Sequence, residues 1–387
     1  MTPAARVQAA IEIIDEILHN GFRAELSLTT WSRKNRYAGS KDRAAIRDHV
    51  YGALRRLRSL AGKGGALSGR AILIAALRED GIDPTEIFTG GRFAPVPLED
   101  KENATNQSLS LPEAFDIPDW LWPIWKEDLG DRAEEVADAL TKRAPVFLRV
   151  NCQKISPKEA VDKLRNEGVI SEIHPEVATA LCVTEGQRAI QTSDSYQNGF
   201  VELQDASSQR SIAQIPLTIV GPYLDYCAGG GGKTLALADH FSDKIHAYDA
   251  SAKRLIPLEE RAKRAGAKVE IMNRLALKRE EFGLVFADVP CSGSGSWRRD
   301  PAGKWRLDAA ALSSLLSLQY SIFNEAASYL RPGGMFVYAT CSVLKRENRD
   351  QIDHFLSQHP GWRILDERQI YPSERGDGFY FCYLQKP

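Results

Sequence analysis

The sequence predicts a multidomain protein with an all-α region at the N-terminus, a small α+β module, and a C-terminal α/β unit built on a parallel sheet. Three observations carry this. Apolar residues recur at helical spacing through the first eighty positions. Strand-like runs and a well-capped helix follow a stretch rich in Gly, Pro, Asn and Ser. From about Gln209 short apolar strands alternate with helices, and the first strand ends in a run of four glycines. The boundaries fall at 1–111, 112–208 and 209–387, consistent with the two or three domains that 387 residues suggest.

In the first part, Val7, Ile11, Ile14 and Leu18 form one helical stripe, widened by Ala10, Ile13 and Ile17, with Gly21 as its stop. A second stripe, Val50, Leu54, Leu57 and Ala61, crosses a basic region, and Ala71 to Leu77 reads as a third buried helix. The basic region holds Arg33, Lys34, Arg36, Lys41, Arg43, Arg47, Arg55, Arg56, Arg58, Lys63 and Arg70 against Asp42 and Asp48, although the whole chain has a formal net charge of -1. Such an excess suits a phosphate backbone, and equally a solvated helix face. Residues 90–112 read as a linker.

In the second part, Trp120, Trp122 and Trp125 lie within six residues and are expected to pack in a core. Val146–Val150 reads as a strand, and Ser156-Pro157-Lys158-Glu159 as a helix start with a capping box. Further strands are expected at 180–183 and 199–203. In the third part, strands are expected at 223–226, 245–249, 269–272, 284–288 and 335–340, a long helix at 309–330, and a closing β pair at 362–366 and 379–384. In open sheets of this kind ligands sit beyond the carboxyl ends of the strands, so the residues just after each strand are the candidates for chemistry.

The first strand ends at Asp225 and runs into Tyr226-Cys227-Ala228-Gly229-Gly230-Gly231-Gly232-Lys233-Thr234. Spacing excludes two familiar readings. A phosphate-binding P-loop needs glycine where Cys227 stands. A dinucleotide fingerprint needs Gly or Ala where Thr234 or Leu235 stands. A small nucleoside cofactor without a polyphosphate, such as S-adenosylmethionine, fits better. Asp249, twenty residues beyond Gly229 at the second strand's end, is placed to accept ribose hydroxyls.

The fourth strand ends in Asp288-Val289-Pro290-Cys291-Ser292-Gly293-Ser294-Gly295, and the fifth in Thr340-Cys341-Ser342. Two thiols thus leave neighbouring strand ends on the cofactor side of one sheet. With no C-x-x-C pair among Cys152, Cys182, Cys227, Cys291, Cys341 and Cys382, zinc ribbons and thioredoxin-type motifs are excluded, and disulfides are not expected. A thiol, an acid and a methyl donor together suggest alkylation of pyrimidine carbon 5: thiolate addition at carbon 6 turns carbon 5 into an enamine nucleophile. An acid at N3 supports the addition, and a base then removes the carbon 5 proton.

With these motifs in hand, the sequence resembles the Sun/RsmB branch of the Nop/Sun family of RNA cytosine-C5 methyltransferases. Asp225 to Thr234 matches the family's cofactor loop. Asp288 to Gly295, with Arg298-Arg299 and Lys304-Trp305, matches its first cysteine motif; Thr340-Cys341-Ser342, with Glu347-Asn348, matches its second. Gly376-Asp377-Gly378-Phe379-Tyr380 is similar to its C-terminal strand. Upstream, Pro118-Asp119-Trp120-Leu121, Leu148-Arg149-Val150-Asn151 and Gln204 to Gln209 look like its small RNA-binding module. Gly39 to Arg43 and Val50 to Arg55 look like its NusB-like helical domain. The resemblance implies a Rossmann-like class I methyltransferase fold, preceded by a small RRM-like α+β module and an all-α NusB-like domain.

Carried over to this sequence, the resemblance implies Cys341 as the nucleophile on carbon 6 and Cys291 as the second thiol, assisting elimination and product release. It implies Asp288 between cofactor and cytosine, and Lys233 positioning the target. Cys227, Ala228, Gly229, Gly230, Gly231, Gly232 and Lys233 would wrap the methionine part of S-adenosylmethionine, with Asp249 on the ribose. The implied partner is RNA, ribosomal RNA first and transfer RNA second, with neither membrane nor metal. The protein is expected to be a cytoplasmic monomer. Three positions depart from the family pattern: Gly229-Gly230 replaces Ala-Pro, Met272-Asn273-Arg274 lacks the acid that contacts adenine, and Gly283 replaces an aspartate. The first is expected to loosen the loop and the second to weaken adenine recognition. A catalytically retired RNA-binding assembly factor is the competing class. The altered loop favours it; retention of Asp288, Cys291 and Cys341 opposes it.

Overall fold

Thr2 and Pro3 start the chain as helix. Thr2 Oγ1 accepts the Ala5 amide at 3.2 Å and Pro3 occupies the first turn, opening α1 (Pro3–His19). Its Val7, Ile11, Ile14 and Ile17 are buried. This computed structural model describes residues 1–102, 108–277 and 281–387; of the linker-like run 90–112, residues 103–107 lie outside the described residues. The chain forms two compact units, Met1–Arg143 with Trp297–Ala311, and Ala144–Ser296 with Leu312–Pro387.

The first unit continues with α2 (Ala24–Lys34), α3 (Ser40–Arg55), α4 (Leu57–Gly64), α5 (Gly69–Glu79), α6 (Leu111–Ala114), α7 (Trp122–Leu129) and α8 (Ala133–Thr141). The stripe Val50, Leu54, Leu57 and Ala61 is shared by two helices, α3 and α4. The break has a physical cause in Asp116, which is buried and accepts the Arg58 amide at 2.8 Å, the Ser59 amide at 3.1 Å and Ser59 Oγ at 2.7 Å. These are the unpaired donors of a new helix N-terminus, and a carboxylate satisfies them. Trp125 is fully buried and donates to the Ala133 carbonyl at 2.8 Å, while Trp122 stacks on Phe115. The returning segment completes the unit's core. Ala302 is fully buried beside α1, α3 and α4 residues, Trp305 donates to the Leu54 carbonyl at 2.7 Å, and Trp297 stacks on Trp125.

In the second unit, β1 (Val146–Val150), β2 (Ile170–Ile173), β3 (Ala180–Glu185) and β4 (Val201–Leu203) form an antiparallel sheet in the order β2-β3-β1-β4. Helices α9 (Pro157–Asn166) and α10 (Asp194–Gln197) accompany it; Ser156 and Glu159 form the capping box at the start of α9. β2 carries too few apolar residues to announce itself in sequence.

After α11 (Ala206–Ala213) comes a seven-stranded sheet. Its elements are β5 (Tyr223–Asp225), α12 (Gly232–Phe241), β6 (Ile245–Ala247), α13 (Ala252–Ala265), β7 (Val269–Ile271), α14 (Arg274–Leu277) and β8 (Phe282–Asp288). Then follow α15 (Pro301–Arg306, the first unit's returning helix), α16 (Ala309–Ser328), β9 (Leu330–Thr340), α17 (Arg349–Gln358), β10 (Arg363–Ile370) and β11 (Phe379–Gln385). The order is β10-β11-β9-β8-β5-β6-β7, parallel from β9 to β7 and antiparallel at β10 and β11. Strand β5 lies between β6 and β8, so the connections leave it in opposite directions. The crevice that opens at such a switch point lies beyond the ends of β5 and β8. Among the described residues, no single helix is long and apolar enough to cross a membrane.

Candidate active site

The glycine loop between β5 and α12 is held from several sides. The Ala228 amide donates to the Tyr248 carbonyl at 2.9 Å, the Gly229 amide to Asp249 Oδ2 at 3.0 Å, and the Gly231 amide to the Ala228 carbonyl at 2.8 Å. Gly231 has a φ of 85°, and a Cβ there would meet Leu258 Cδ1 at 2.2 Å, so glycine is required. Arg261 also donates to the Gly230 carbonyl. The loosening expected from Gly229-Gly230 is thus countered by Asp249 and Arg261.

These contacts decide what ligand the crevice suits. The Ala228, Gly229 and Gly231 amides are already committed, which leaves the first-turn amides of α12 as the open donors of this loop. Carboxylates dominate: Asp225 at the end of β5, Asp249 after β6 and Asp288 at the end of β8. Asp225 is fully buried and accepts from Thr234 Oγ1 at 2.7 Å, and its other oxygen has no partner among the described residues. Burial pushes its pKa up to about 7. Three carboxylates around the loop suit a cationic nucleoside with ribose hydroxyls, the character of S-adenosylmethionine. Asp249 takes three donors, the Gly229 and Ser251 amides and Arg254. A carboxylate has about four acceptor sites, so one ribose hydroxyl fits beside them, and a second fits if the exposed Arg254 swings away.

Lys233, in the first turn of α12, places Nζ 2.7 Å from Asp288 Oδ2 and 5.4 Å from the Phe379 ring centre. Burial works against its charge, but the Asp288 carboxylate outweighs that and raises its pKa. Cys291 and Cys341, fifty residues apart in sequence, bring their sulfurs to 3.4 Å. The hydrogen bond with Cys291 holds Cys341 below the usual thiol range, against burial and the Asp288 charge and with help from Lys233 and Ser296. The same bond, with burial, pushes Cys291 well up. The pair is therefore polarised, with Cys341 the more acidic sulfur and Cys291 the less acidic. Cys227, in the glycine loop, is pushed up by burial.

Glu347 ties the two cysteine loops together. Fully buried, it accepts the Ser292 amide at 2.8 Å, Ser292 Oγ at 2.5 Å, Ser342 Oγ at 2.5 Å and Gln319 Nε2 at 2.9 Å. Ser294 and Ser342 hydroxyls meet at 2.9 Å, and the Gly295 amide donates to the Cys341 carbonyl at 2.9 Å. Asn348 accepts from Thr340 Oγ1 at 2.6 Å and donates to the Ser342 carbonyl at 2.9 Å. Sequence reading noticed Glu347 and Asn348 only as motif companions and missed Gln319. Serine, glutamate and glutamine within two loops and a helix give no signal of a buried network until the fold joins them.

The other departures also have local explanations. A Cβ on Gly283 would come within 1.9 Å of the Val220 carbonyl oxygen, so an aspartate has no room in this chain. Asn273 turns its side-chain oxygen to the Leu275 and Ala276 amides, at 3.0 and 2.9 Å, and caps α14.

A parallel sheet with an acidic glycine crevice and paired thiols beyond adjacent strands has the make-up of a methyl-transfer site of the S-adenosylmethionine class. A family model described as 16S rRNA methyltransferase RsmB/F matches residues 220–385, and a model of the ferredoxin-like domain of RsmF/B-like methyltransferases matches residues 117–190. Similar relatives carry the name ribosomal RNA small subunit methyltransferase B. The protein of Vibrio cholerae is 32% identical over 288 residues, covering 70% of this chain and 65% of its own length. That of Cronobacter sakazakii is 30% identical over 287 residues, covering 69% and 67%. That of Vibrio vulnificus is 27% identical over 424 aligned positions, covering 98% of both chains. The crystal structure of PH0851 shares the fold over 100% of this chain and 99% of its own, with a TM-score of 0.76 at 23% identity. NSun6 from Pyrococcus horikoshii does so over 70% and 98%, with a TM-score of 0.62 at 17% identity.

The chain belongs to the RsmB/F family of 16S rRNA methyltransferases, enzymes that take their methyl group from S-adenosylmethionine.

Proposed function

We propose that this protein methylates carbon 5 of one cytosine in 16S ribosomal RNA, with Cys341 as the covalent nucleophile. The observation that supports this best is the pair of sulfurs 3.4 Å apart beside the Lys233–Asp288 ion pair. S-adenosylmethionine, held by residues 227–233, Asp249 and Asp288, supplies an electrophilic methyl group. The chain's residues do the rest. Cys341 thiolate adds to carbon 6, forming a sulfur–carbon bond and leaving carbon 5 nucleophilic. Asp288 and Lys233 orient the base and stabilise charge on its ring during addition. After methyl transfer a base removes the carbon 5 proton, the sulfur–carbon bond breaks, and Cys341 leaves as thiolate; Cys291 assists this elimination.

The target must leave its stack to reach Cys341, which favours a loop or unpaired cytosine. In this reading residues 1–111 and 112–208 bind RNA, residues 209–387 catalyse, and the protein works as a monomer in the cytoplasm. A retired assembly factor, needing only shape and phosphate contacts, has no use for two polarised thiols.

Bisulfite sequencing of RNA from cells lacking the gene tests the reading: one 16S cytosine is expected to lose protection. Complementation with wild type restores it and with Cys341→Ala does not, while Cys291→Ala accumulates a covalent RNA–protein adduct on denaturing gels. Full activity of Cys341→Ala overturns the nucleophile assignment, and a lost site in transfer RNA overturns the substrate.

A further inference from the structure

Most of the basic residues between positions 33 and 70 are engaged within the chain. Arg47 pairs with Glu25, Arg56 and Lys63 with Glu79, Arg58 with Asp119 and Glu113, and Arg70 with Glu102; Arg55 donates to the Arg298 carbonyl. Arg33, Arg36 and Arg43 differ. They have no hydrogen-bond or ion-pair partner for their side chains among the described residues. They converge with Arg47 and the hydroxyl residues Thr29 and Ser32 on one cavity of about 540 Å³ between α2 and α3. The nearest acids are occupied: Glu25 holds Arg47 bidentately, and Asp42 holds the N-terminal amine and Arg6. Guanidiniums gathered without counter-charge repel one another, and a polyanion relieves that.

A second cavity, of about 740 Å³, lies alongside. Trp31 of α2 and Tyr37 line it, together with Arg92 and Phe93. Arg36 and Tyr37, adjacent in sequence, each line one of the two cavities. Tyr37 is 72% exposed and Phe93 67%, unusual for large aromatic side chains. Phe93 is held at a φ of 67°, a left-handed conformation that costs a non-glycine residue energy, with the Arg92 guanidinium over its ring. Cationic groups beside exposed rings are the composition that binds single-stranded nucleic acid, with phosphates on the cations and bases on the rings.

We propose that this face of the helical unit is a second RNA site, separate from the methyl-transfer crevice, that takes an unpaired stretch of the substrate. Arg33, Arg36 and Arg43 hold its phosphodiesters, and Tyr37 and Phe93 stack one or two of its bases. The inference rests on the ribosomal RNA reading above and adds where the helical unit grips its substrate. Since stacking tolerates any base, the site adds affinity for the RNA without selecting the target cytosine.

The test measures binding of full-length protein to unmodified 16S RNA and to an oligouridine of about twelve nucleotides, which offers no cytosine to the catalytic crevice. Arg33→Gln/Arg36→Gln/Arg43→Gln is expected to weaken both by about tenfold or more at moderate salt and to lower the slope of log affinity against log salt by about 2. Tyr37→Ala and Phe93→Ala are each expected to weaken oligouridine binding about tenfold with the slope unchanged. Lys263→Gln/Lys268→Gln/Arg363→Gln, an equal loss of charge at exposed positions before β7 and at the start of β10, away from the strand ends that carry the crevice, controls for overall electrostatics. If the arginine variant binds like this control, or if an oligoglutamate peptide displaces oligouridine and binds more tightly, the site is not for RNA and the inference is overturned. Methyl transfer to 16S RNA by wild type is measured in the same preparations. Its failure sinks the proposed function, whereas unchanged binding with normal methyl transfer sinks only the second site.

Discussion

Two sulfurs of one element, 3.4 Å apart, are made chemically unlike by their neighbours. The hydrogen bond they share lowers Cys341 and raises Cys291, and Lys233 adds positive charge near Cys341. Thiolate nucleophilicity follows protonation state, so Cys341 is expected to alkylate at pH values below the usual thiol range. Peptide-resolved iodoacetamide labelling across pH checks this, with the exposed Cys152 as an internal reference. The half-maximal rate at Cys341 should fall below that at Cys152, whose thiol burial pushes up. Lys233→Met should move the Cys341 midpoint upward, because removing the cation leaves the repulsion from Asp288 unopposed. A midpoint that does not move in Lys233→Met would mean that the lysine serves only Asp288. At this scale the places of Asp288, Cys291 and Cys341 were legible in the sequence because each ends or follows a short apolar strand. Glu347 and Gln319 were not, because a glutamate in a loop and a glutamine on α16 look like solvated residues until both cysteine loops close over them.

At the scale of elements, α15 shows how a motif can be recognised and still misjudged in what it touches. Lys304 and Trp305 read as companions of the first cysteine motif, yet they pack with α3. Lys304 is 1% exposed, with Nζ 3.3 Å from the Arg55 carbonyl and 4.6 Å from the Trp305 ring centre. Burial lowers its pKa from 10.5 to about 8, despite the attraction of Asp116. Below about 8 both folded and unfolded chains carry the proton, and the cost of burying the charge is felt in full. Between about 8 and 10.5 the folded chain has released a proton that the unfolded chain keeps, so this group's contribution to stability improves as pH rises. The total is roughly 3 kcal/mol from a shift of about 2.5 units. Urea unfolding of wild type and Lys304→Met from pH 7 to 10.5 should therefore show the variant relatively more stable at neutral pH, with its advantage shrinking by up to that amount. A constant difference would mean that Lys304 stays charged in the folded protein, held by Asp116. The break between α3 and α4 has a similar lesson. One hydrophobic stripe ran through both helices, and the remote Asp116 that separates them could not be paired with Ser59 by periodicity.

For the whole molecule, the parallel sheet, its crevice and the closing β pair follow from alternation and glycine placement, but the strand order and the course of the chain do not. Trp297–Ala311 lies between Cys291 and Cys341 in sequence and belongs by its contacts to the helical unit. Nothing in a linear pattern reveals this, since Trp297, Ala302 and Trp305 would look equally at home in either core. The consequence is a helical unit that is incomplete without a distant segment. Cutting after Arg143 removes buried Ala302, the Trp297 ring stacked on Trp125, and the Trp305 hydrogen bond to Leu54. Removing one buried tryptophan side chain costs about 3–5 kcal/mol, and a domain of this size loses about 2–4 °C of melting temperature per kcal/mol. A fragment of residues 1–143 should thus melt about 10 °C or more below one in which residues 297–311 are appended through a flexible linker. Adding a synthetic 297–311 peptide should recover part of the difference, and Trp305→Ala in the peptide should recover less. Equal melting of fragment and fusion would show that the helices close without the segment, and that its buried tryptophans are passengers.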